Sequence, residues 1–145
     1  MWRVERTTPI EVSIDKVWDV LITPGLWMKV DPVHYEDVKY NIEKLQKGEK
    51  GKMKTKDSPG FFTFKTVDVN DENHVVITES GTPLGVLTIT KRLNLLSKNI
   101  ELEESVVATG PFAKTFAKLF FQKQIADTLP SQHATIKQFV EKRLA

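Results

Sequence analysis

The sequence lacks several features that define whole classes of protein, and the first of these is cysteine. None of the 145 residues is a cysteine, so disulfides, thiolate metal ligands and thiol nucleophiles are excluded. No apolar run approaches the roughly 18 residues of a membrane span, and the opening MWRVERTTPI lacks the apolar core of a secretory signal. We therefore expect a cytoplasmic protein with no transmembrane segment.

Motifs for catalysis and cofactor binding are also missing. There is no G-x-S-x-G sequence and no glycine-rich phosphate loop. The three histidines, His34, His74 and His133, are not spaced as metal ligands. We therefore expect no metal, no cofactor and no nucleophilic triad, and we favour a non-enzymatic role. Acid–base catalysis by one isolated group stays open, with Lys91, Glu104 and His133 as its candidates.

Length and composition indicate one globular domain over residues 1–145. Hydrophobic residues make up 40% of the chain and charged residues 28%, which is the usual balance for a protein with a packed core. The formal net charge is only +2, and much of the excess lies between Lys44 and Lys56. The chain is therefore only mildly basic, with its lysines concentrated in one segment.

Within that segment lysines occupy every second position. They are Lys50, Lys52, Lys54 and Lys56. Alternate residues of a strand share a face, so these lysines are expected to form one row. The row fits an anionic partner such as acidic lipid or nucleic acid, or a solvated outer sheet face whose lysines block edge pairing. No aromatic residue interleaves as nucleic-acid stacking requires, so we favour the solvated face and expect no nucleic-acid partner.

Hydrophobic periodicity predicts an antiparallel α+β chain. A strand over Trp2–Ile10 precedes a helix over Ser13–Ile22 and a short helix over Pro24–Val30. Six strand candidates with period two follow: Tyr35–Leu45, Gly51–Lys56, Phe61–Val69, His74–Ser80, Gly85–Leu93 and Asn99–Ala108. Short turns rich in Gly, Pro, Asn and Asp separate them, which favours an antiparallel meander over a parallel sheet.

The C-terminal part has a helical pattern from Phe112 to Leu144. Its apolar residues lie close to one stripe, and His133 falls on that stripe. Pro130 interrupts the pattern, because a proline removes a backbone donor and clashes with the preceding turn. We expect a kink or a short break at Pro130 within one helical arm.

The segment TPIEVSIDKVWDVLITPGLWMKVDP, from Thr8 to Pro32, carries a resemblance to a known superfamily. Its Val17-Trp18 pair, proline break and following Trp27 resemble the opening of START/polyketide-cyclase (SRPBCC, Bet v 1-like) chains. The resemblance implies a helix-grip fold over essentially the whole chain. In that fold a curved seven-stranded antiparallel sheet wraps around a long C-terminal helix, and a pocket between them holds a small hydrophobic molecule.

The last two strands carry the most testable site hypothesis. A register that pairs Lys91 with Glu104 also pairs Arg92 with Glu103, although a shift by two residues would keep the same faces. Lys91 and Glu104 would then be opposite charges on an apolar face. They are interpreted either as a polar anchor for a ligand or as a structural cross-strand pair, and we favour the structural pair.

Further pocket candidates come from strands and from the C-terminal helix. We predict a lining of Lys91, Glu104, His133, Leu87, Ile89, Leu102, Val106, Phe62, Phe64, Phe116 and Phe120. Tyr35 and Tyr40 lie five residues apart, so in one regular strand at most one of them would point inward.

Three functions are consistent with these features. The favoured one is binding of a lipid, isoprenoid or polyketide-like ligand for transport, sequestration or sensing. One alternative, which the superfamily resemblance implies, is an enzyme of the polyketide cyclase or dehydratase type. The other is a protein-interaction domain of the kind that activates a heat-shock chaperone. The sequence leaves open whether the chain forms a homodimer.

Overall fold

A computed structural model describes residues 2–56, 60–82, 85–110 and 125–142. These residues form seven strands and three helices. The elements are β1 (Trp2–Ile10), α1 (Ile14–Ile22), α2 (Pro24–Val30), β2 (Tyr35–Lys39), β3 (Lys50–Thr55), β4 (Phe62–Asn70), β5 (Val75–Thr82), β6 (Gly85–Leu95), β7 (Ile100–Thr109) and α3 (Leu129–Lys142).

All seven strands belong to one antiparallel sheet with the order β1-β7-β6-β5-β4-β3-β2. The two short helices follow β1, and α3 contacts β1, α1 and α2. This is the helix-grip arrangement, so the predicted fold class is confirmed. In the described part of the chain, no helix is long and apolar enough to cross a membrane.

The helix pair α1–α2 is fixed to the rest of the fold by its two tryptophans. Both indole rings are buried, and their N–H groups are bonded. Trp18 Nε1 donates to Asp71 Oδ1 in the β4–β5 turn at 2.9 Å, and Trp27 Nε1 donates to the Val20 carbonyl at 3.1 Å. Buried indole N–H groups usually need such partners. One tryptophan therefore joins α1 to the sheet, and the other joins α2 to α1.

The C-terminal helical region is described from residue 125 onward, and residues 125–126 are π-helical. Asp127 and Thr128 form a turn, and α3 starts at Leu129, which places Pro130 in its first turn. A proline is tolerated there because the first helical N–H groups have no intrahelical acceptor. A turn thus precedes Pro130, and the break that it would make in a longer helix stays a prediction. The predicted helix from Phe112 to residue 124 lies outside the described residues.

Strand β2 is shorter than predicted, and this corrects the interpretation of its two tyrosines. β2 ends at Lys39, and the chain then turns so that the Leu45 N–H donates to the Ile22 carbonyl at 2.7 Å. The expectation that Tyr35 and Tyr40 point to opposite faces is wrong. Both rings pack against the core, because Tyr40 lies beyond the strand and a register shift follows Tyr35.

Gly51 allows two aromatic rings to approach the sheet. A Cβ at position 51 would lie 2.5 Å from Phe64 Cζ and 2.6 Å from Tyr40 Cδ1. Phe64 is only 1% exposed, and its ring stacks on Tyr40 at 5.8 Å between centroids. Gly51→Ala is expected to cost about 1–3 kcal/mol, the usual cost of overpacking a core. Urea unfolding checks this, with Gly25→Ala as a control, since a Cβ at position 25 meets nothing within 4 Å.

Candidate functional site

The structure brings Lys91 and Glu104 together on the concave face of the sheet. In the β6–β7 ladder Lys91 is directly opposite Glu104, and Leu93 is opposite Leu102. Of the registers that the sequence leaves open, the structure therefore has the one that pairs Lys91 with Glu104. Glu104 is only 4% exposed, and Lys91 is half-buried. Antiparallel partners on one face have close Cβ atoms, so the two charged side chains start from neighbouring positions across the ladder.

Glu104 also binds His133, which reaches the sheet from α3. His133 is fully buried, and its Nε2 lies 3.0 Å from Glu104 Oε1. Its Nδ1 lies 2.8 Å from the hydroxyl of Thr8 on β1. An ionised carboxylate only accepts hydrogen bonds, so Nε2 donates to Glu104. When the imidazole is neutral, Nδ1 accepts from the Thr8 hydroxyl. The chain Thr8–His133–Glu104 thus joins β1, α3 and β7.

The ammonium group of Lys91 lies above an aromatic ring of α2. Lys91 Nζ is 5.7 Å from the centroid of Trp27, within the usual range of a cation–π contact. Among the residues that the structure describes, Lys91 Nζ makes no hydrogen bond and no ion pair at contact distance. Glu104 thus acts on this ammonium group electrostatically while its carboxylate is bonded to His133.

The surrounding charges shift the pKa values of this group in consistent directions. Burial lowers the pKa of Lys91, but the charges of Glu104, Tyr35 and Asp31 outweigh it and raise that pKa above 10.5. Burial raises the pKa of Glu104, but the charge of Lys91 and the bond from His133 outweigh it, so that pKa lies below 4.5. Burial is also the main reason why the pKa of Tyr35 is raised. Lys91 and Glu104 are therefore both charged at neutral pH.

An aromatic wall surrounds the polar group. The ring of Trp27 lies 6.0 Å from Tyr35 and 5.7 Å from Phe64, measured between centroids, and Phe64 stacks on Tyr40. These rings come from α2, β2, β4 and the segment after β2. The site therefore combines one cation with a continuous aromatic surface, which is the composition of a pocket for an apolar ligand with a polar end.

Asp31 and His34 form a second polar pair beside this wall. Asp31 is 2% exposed, and its carboxylate accepts bonds from the His34 backbone N–H at 3.1 Å and from His34 Nδ1 at 2.8 Å. The sequence patterns assign no function to His34 or to Asp31. The signal that could have found the pair is the Asp-Pro-x-His spacing after a helix, because an Asp there bonds backbone N–H groups of the next turn.

The other predicted lining residues divide into three groups. Phe64, Leu102 and Val106 are buried, whereas Phe62, Leu87 and Ile89 are half-buried. Phe116 and Phe120 lie outside the described residues. Most of the wall that the sequence assigns to residues 112–129 is therefore not described, and whether these residues bind a ligand stays a prediction. In the described part of the chain, no three His, Asp or Glu side chains converge as metal ligands.

The pKa shift of Glu104 predicts a specific acid sensitivity. Because the folded-state pKa is below the ordinary 4.5, the carboxylate stabilises the fold fully above pH 4.5. This stabilisation is lost as the pH falls from 4.5 through the folded-state pKa. Urea unfolding followed across this range should show a steeper loss for the wild type than for Glu104→Leu. Equal slopes would contradict an ionised Glu104 in the fold.

Comparisons with known proteins support the fold and leave the function open. No protein-family model matches the sequence, and no curated protein does. Norcoclaurine synthase from Thalictrum flavum, solved with dopamine and hydroxybenzaldehyde, is similar in structure with a TM-score of 0.72 and 15% identity, over 97% of this chain and 87% of that one.

Two further solved structures show the same architecture. One is the di-domain ARO/CYC protein BexL from the BE-7585A biosynthetic pathway, with a TM-score of 0.78 and 12% identity. It is matched over 97% of this chain and 47% of that one, about one of its two domains. The other is Ara h 8.0201, with a TM-score of 0.67 and 11% identity over 97% and 98% of the two chains. The protein thus has the Bet v 1-like helix-grip fold that its sequence resembles.

Proposed function

We propose that this protein binds a small apolar molecule with an anionic group, and that Lys91 anchors the anion. The ligand lies between the concave sheet face and the C-terminal helical region, with its apolar body against Trp27. The observation that carries the proposal is an ammonium group on an apolar face, above an aromatic ring, with no bonded acceptor among the described residues. A carboxylate, phenolate or enolate of a lipid, isoprenoid or polyketide-like ligand supplies that acceptor.

The charge states favour binding over acid–base catalysis by the same groups. A general base works best with a pKa near the working pH. The pKa of Glu104 is lowered and that of Lys91 is raised, so neither group exchanges protons readily near neutrality. Both shifts favour permanent charges. A permanent cation suits a carrier, a sequestering protein or a sensor.

A proton-transfer enzyme acting on a polyketide-like substrate is the second candidate, and one observation favours it. The His34 side chain is 15% exposed, and Asp31 holds its Nδ1 at 2.8 Å. A histidine oriented by a carboxylate is a common general base. Norcoclaurine synthase and BexL, whose fold is similar, are a synthase and an ARO/CYC protein by name. Turnover of an aromatic polyketide substrate that disappears in His34→Gln would favour this candidate.

Two probes with the same aromatic body separate the anchor from general apolar binding. The anion 8-anilino-1-naphthalenesulfonate and the neutral N-phenyl-1-naphthylamine both fluoresce when they enter an apolar site. Lys91→Met is expected to weaken binding of the anion roughly 10- to 100-fold, since a bond to a charged group contributes about 1.5–3 kcal/mol. Binding of the neutral probe should change little.

The control is Lys16→Met, which removes an equal charge from the exposed face of α1. It should leave both affinities unchanged. Equal loss of both probes in Lys91→Met would mean that the lysine only supports the fold. A wild-type protein that binds neither probe would contradict the proposed function.

A further inference from the structure

The outer face of the sheet carries a group of lysines on three neighbouring strands. We call it the lysine face. It consists of Lys39 on β2, Lys50, Lys52 and Lys54 on β3, and Lys65 on β4. Their neighbours Gly51 and Phe64 are buried, so the lysines point away from the core. This face is separate from the concave side that holds Lys91.

The register places lysine directly opposite lysine twice. Lys39 pairs with Lys52 across β2 and β3, and Lys50 pairs with Lys65 across β3 and β4. Like charges directly opposite each other destabilise a sheet. If the only role of this face were to stay hydrated, lysines placed opposite carboxylates would serve equally well and would not repel each other. Two such pairs side by side therefore indicate a surface arranged for an anionic partner at some cost in stability.

Carboxylates neutralise only part of this face. Lys54 is opposite Asp37 in the β2–β3 ladder, and its Nζ lies 3.4 Å from Glu36 Oε2. Glu79 is opposite Lys65 in the β4–β5 ladder. In the described part of the chain, Lys39, Lys50 and Lys52 have no ion pair. The positive charge that carboxylates leave in place is therefore that of Lys39, Lys50 and Lys52, where β3 meets the end of the edge strand β2.

An exposed aromatic residue lies on the same face. Phe61, just before β4, is 44% exposed, and Lys39 Nζ lies 4.6 Å from the centroid of its ring. An exposed phenylalanine beside lysines is a combination that peripheral proteins use at a bilayer surface. The lysines approach anionic headgroups, and the ring enters the interfacial layer.

We propose that the lysine face docks this protein on the surface of an anionic lipid membrane. The face is a broad sheet surface, which suits a layer of headgroups. Nucleic-acid binding would need several stacking aromatics, and the face presents one. The inference concerns a different surface from the ligand site, so it stands or fails independently of the proposed function.

Vesicle sedimentation tests the proposal directly. The wild type should bind vesicles of phosphatidylcholine with phosphatidylserine, should not bind phosphatidylcholine alone, and should be released by added salt. Each lysine near an anionic surface contributes roughly fivefold to the partition coefficient, so Lys39→Gln/Lys52→Gln should lower it roughly 25-fold. Urea unfolding should show that this variant is at least as stable as the wild type, because a like-charge pair has been removed.

The matched control is Lys16→Gln/Lys98→Gln, which removes the same charge from exposed positions on α1 and on the β6–β7 turn. It should keep wild-type partitioning. An equal loss of vesicle binding in both double variants would show that the membrane attracts only the net charge of the protein. That result would overturn the proposal that the lysine face is the docking surface. The membrane proposal would be overturned if the wild type failed to bind phosphatidylserine vesicles. It would also be overturned if the wild type bound a DNA duplex and not the vesicles.

Discussion

Glu104→Leu should lower the free energy of unfolding by about 3–5 kcal/mol, the usual cost of breaking a buried ion pair from one side. The change leaves two groups without their partner at once. Lys91 loses the charge that offsets its burial, and His133 Nε2 loses its acceptor at 3.0 Å. Urea unfolding at neutral pH measures the loss. Glu101→Leu, on the other face of the same strand, is the control and should stay within about 0.5 kcal/mol.

A stepwise rescue separates the two costs. Adding Lys91→Met to Glu104→Leu should recover the part due to the unpaired ammonium. Recovery should be incomplete, because a buried nitrogen of His133 still lacks an acceptor, which costs about 1–3 kcal/mol. Adding His133→Leu should recover most of the rest. A Glu104→Leu variant that loses less than about 1 kcal/mol would show that the carboxylate is not held as described.

Trp18→Ala should also cost about 3–5 kcal/mol, the range for removing a large buried aromatic side chain. The ring is 7% exposed, belongs to the main core, and meets His74 edge-on at 5.3 Å between centroids. Its indole N–H also donates the hydrogen bond that links α1 to Asp71 in the β4–β5 turn. Removing the ring therefore empties core volume and releases α1 from the sheet at the same time.

Trp18→Phe is the matched variant for this prediction. It keeps an aromatic ring but removes the hydrogen bond to Asp71. The free energy of unfolding should therefore fall by about 1 kcal/mol more than the smaller ring alone would cause. Urea melts of the two variants separate packing from hydrogen bonding. A loss below about 1 kcal/mol for Trp18→Ala would mean that α1 is not held by this residue.

The sequence was sufficient for the fold and for one pair of site residues. Strand order and turn signals are local features, so the antiparallel meander could be predicted from them. The shared face of Lys91 and Glu104 could also be predicted from the alternation of apolar residues on β6 and β7, although a register shifted by two residues was left open. The position of Pro130 in the first turn of α3 agrees with the backbone chemistry of proline.

The rest of the site depends on how distant elements pack, which no local pattern contains. His133 was placed on an apolar helix stripe, but its bonds to Glu104 and Thr8 join residues far apart in sequence. Trp27 was recognised as part of a motif, yet its position below Lys91 depends on how α2 sits against the curved sheet. The two-residue alternation of a strand also gave the wrong orientation for Tyr40. Strand β2 ends at Lys39, so the alternation does not extend to Tyr40.

The most direct test is to locate a bound anion with the two indole N–H groups as reporters. Trp27 lies in the proposed site beside Lys91, whereas the N–H of Trp18 is bonded to Asp71 in the β4–β5 turn. Two-dimensional NMR during titration with 8-anilino-1-naphthalenesulfonate reports on both groups. We expect the Trp27 indole signal and the Lys91 amide to shift together to saturation while the Trp18 indole signal stays in place. Shifts at Trp18 with none at Trp27, or no shifts at saturating probe, would contradict a ligand site anchored by Lys91.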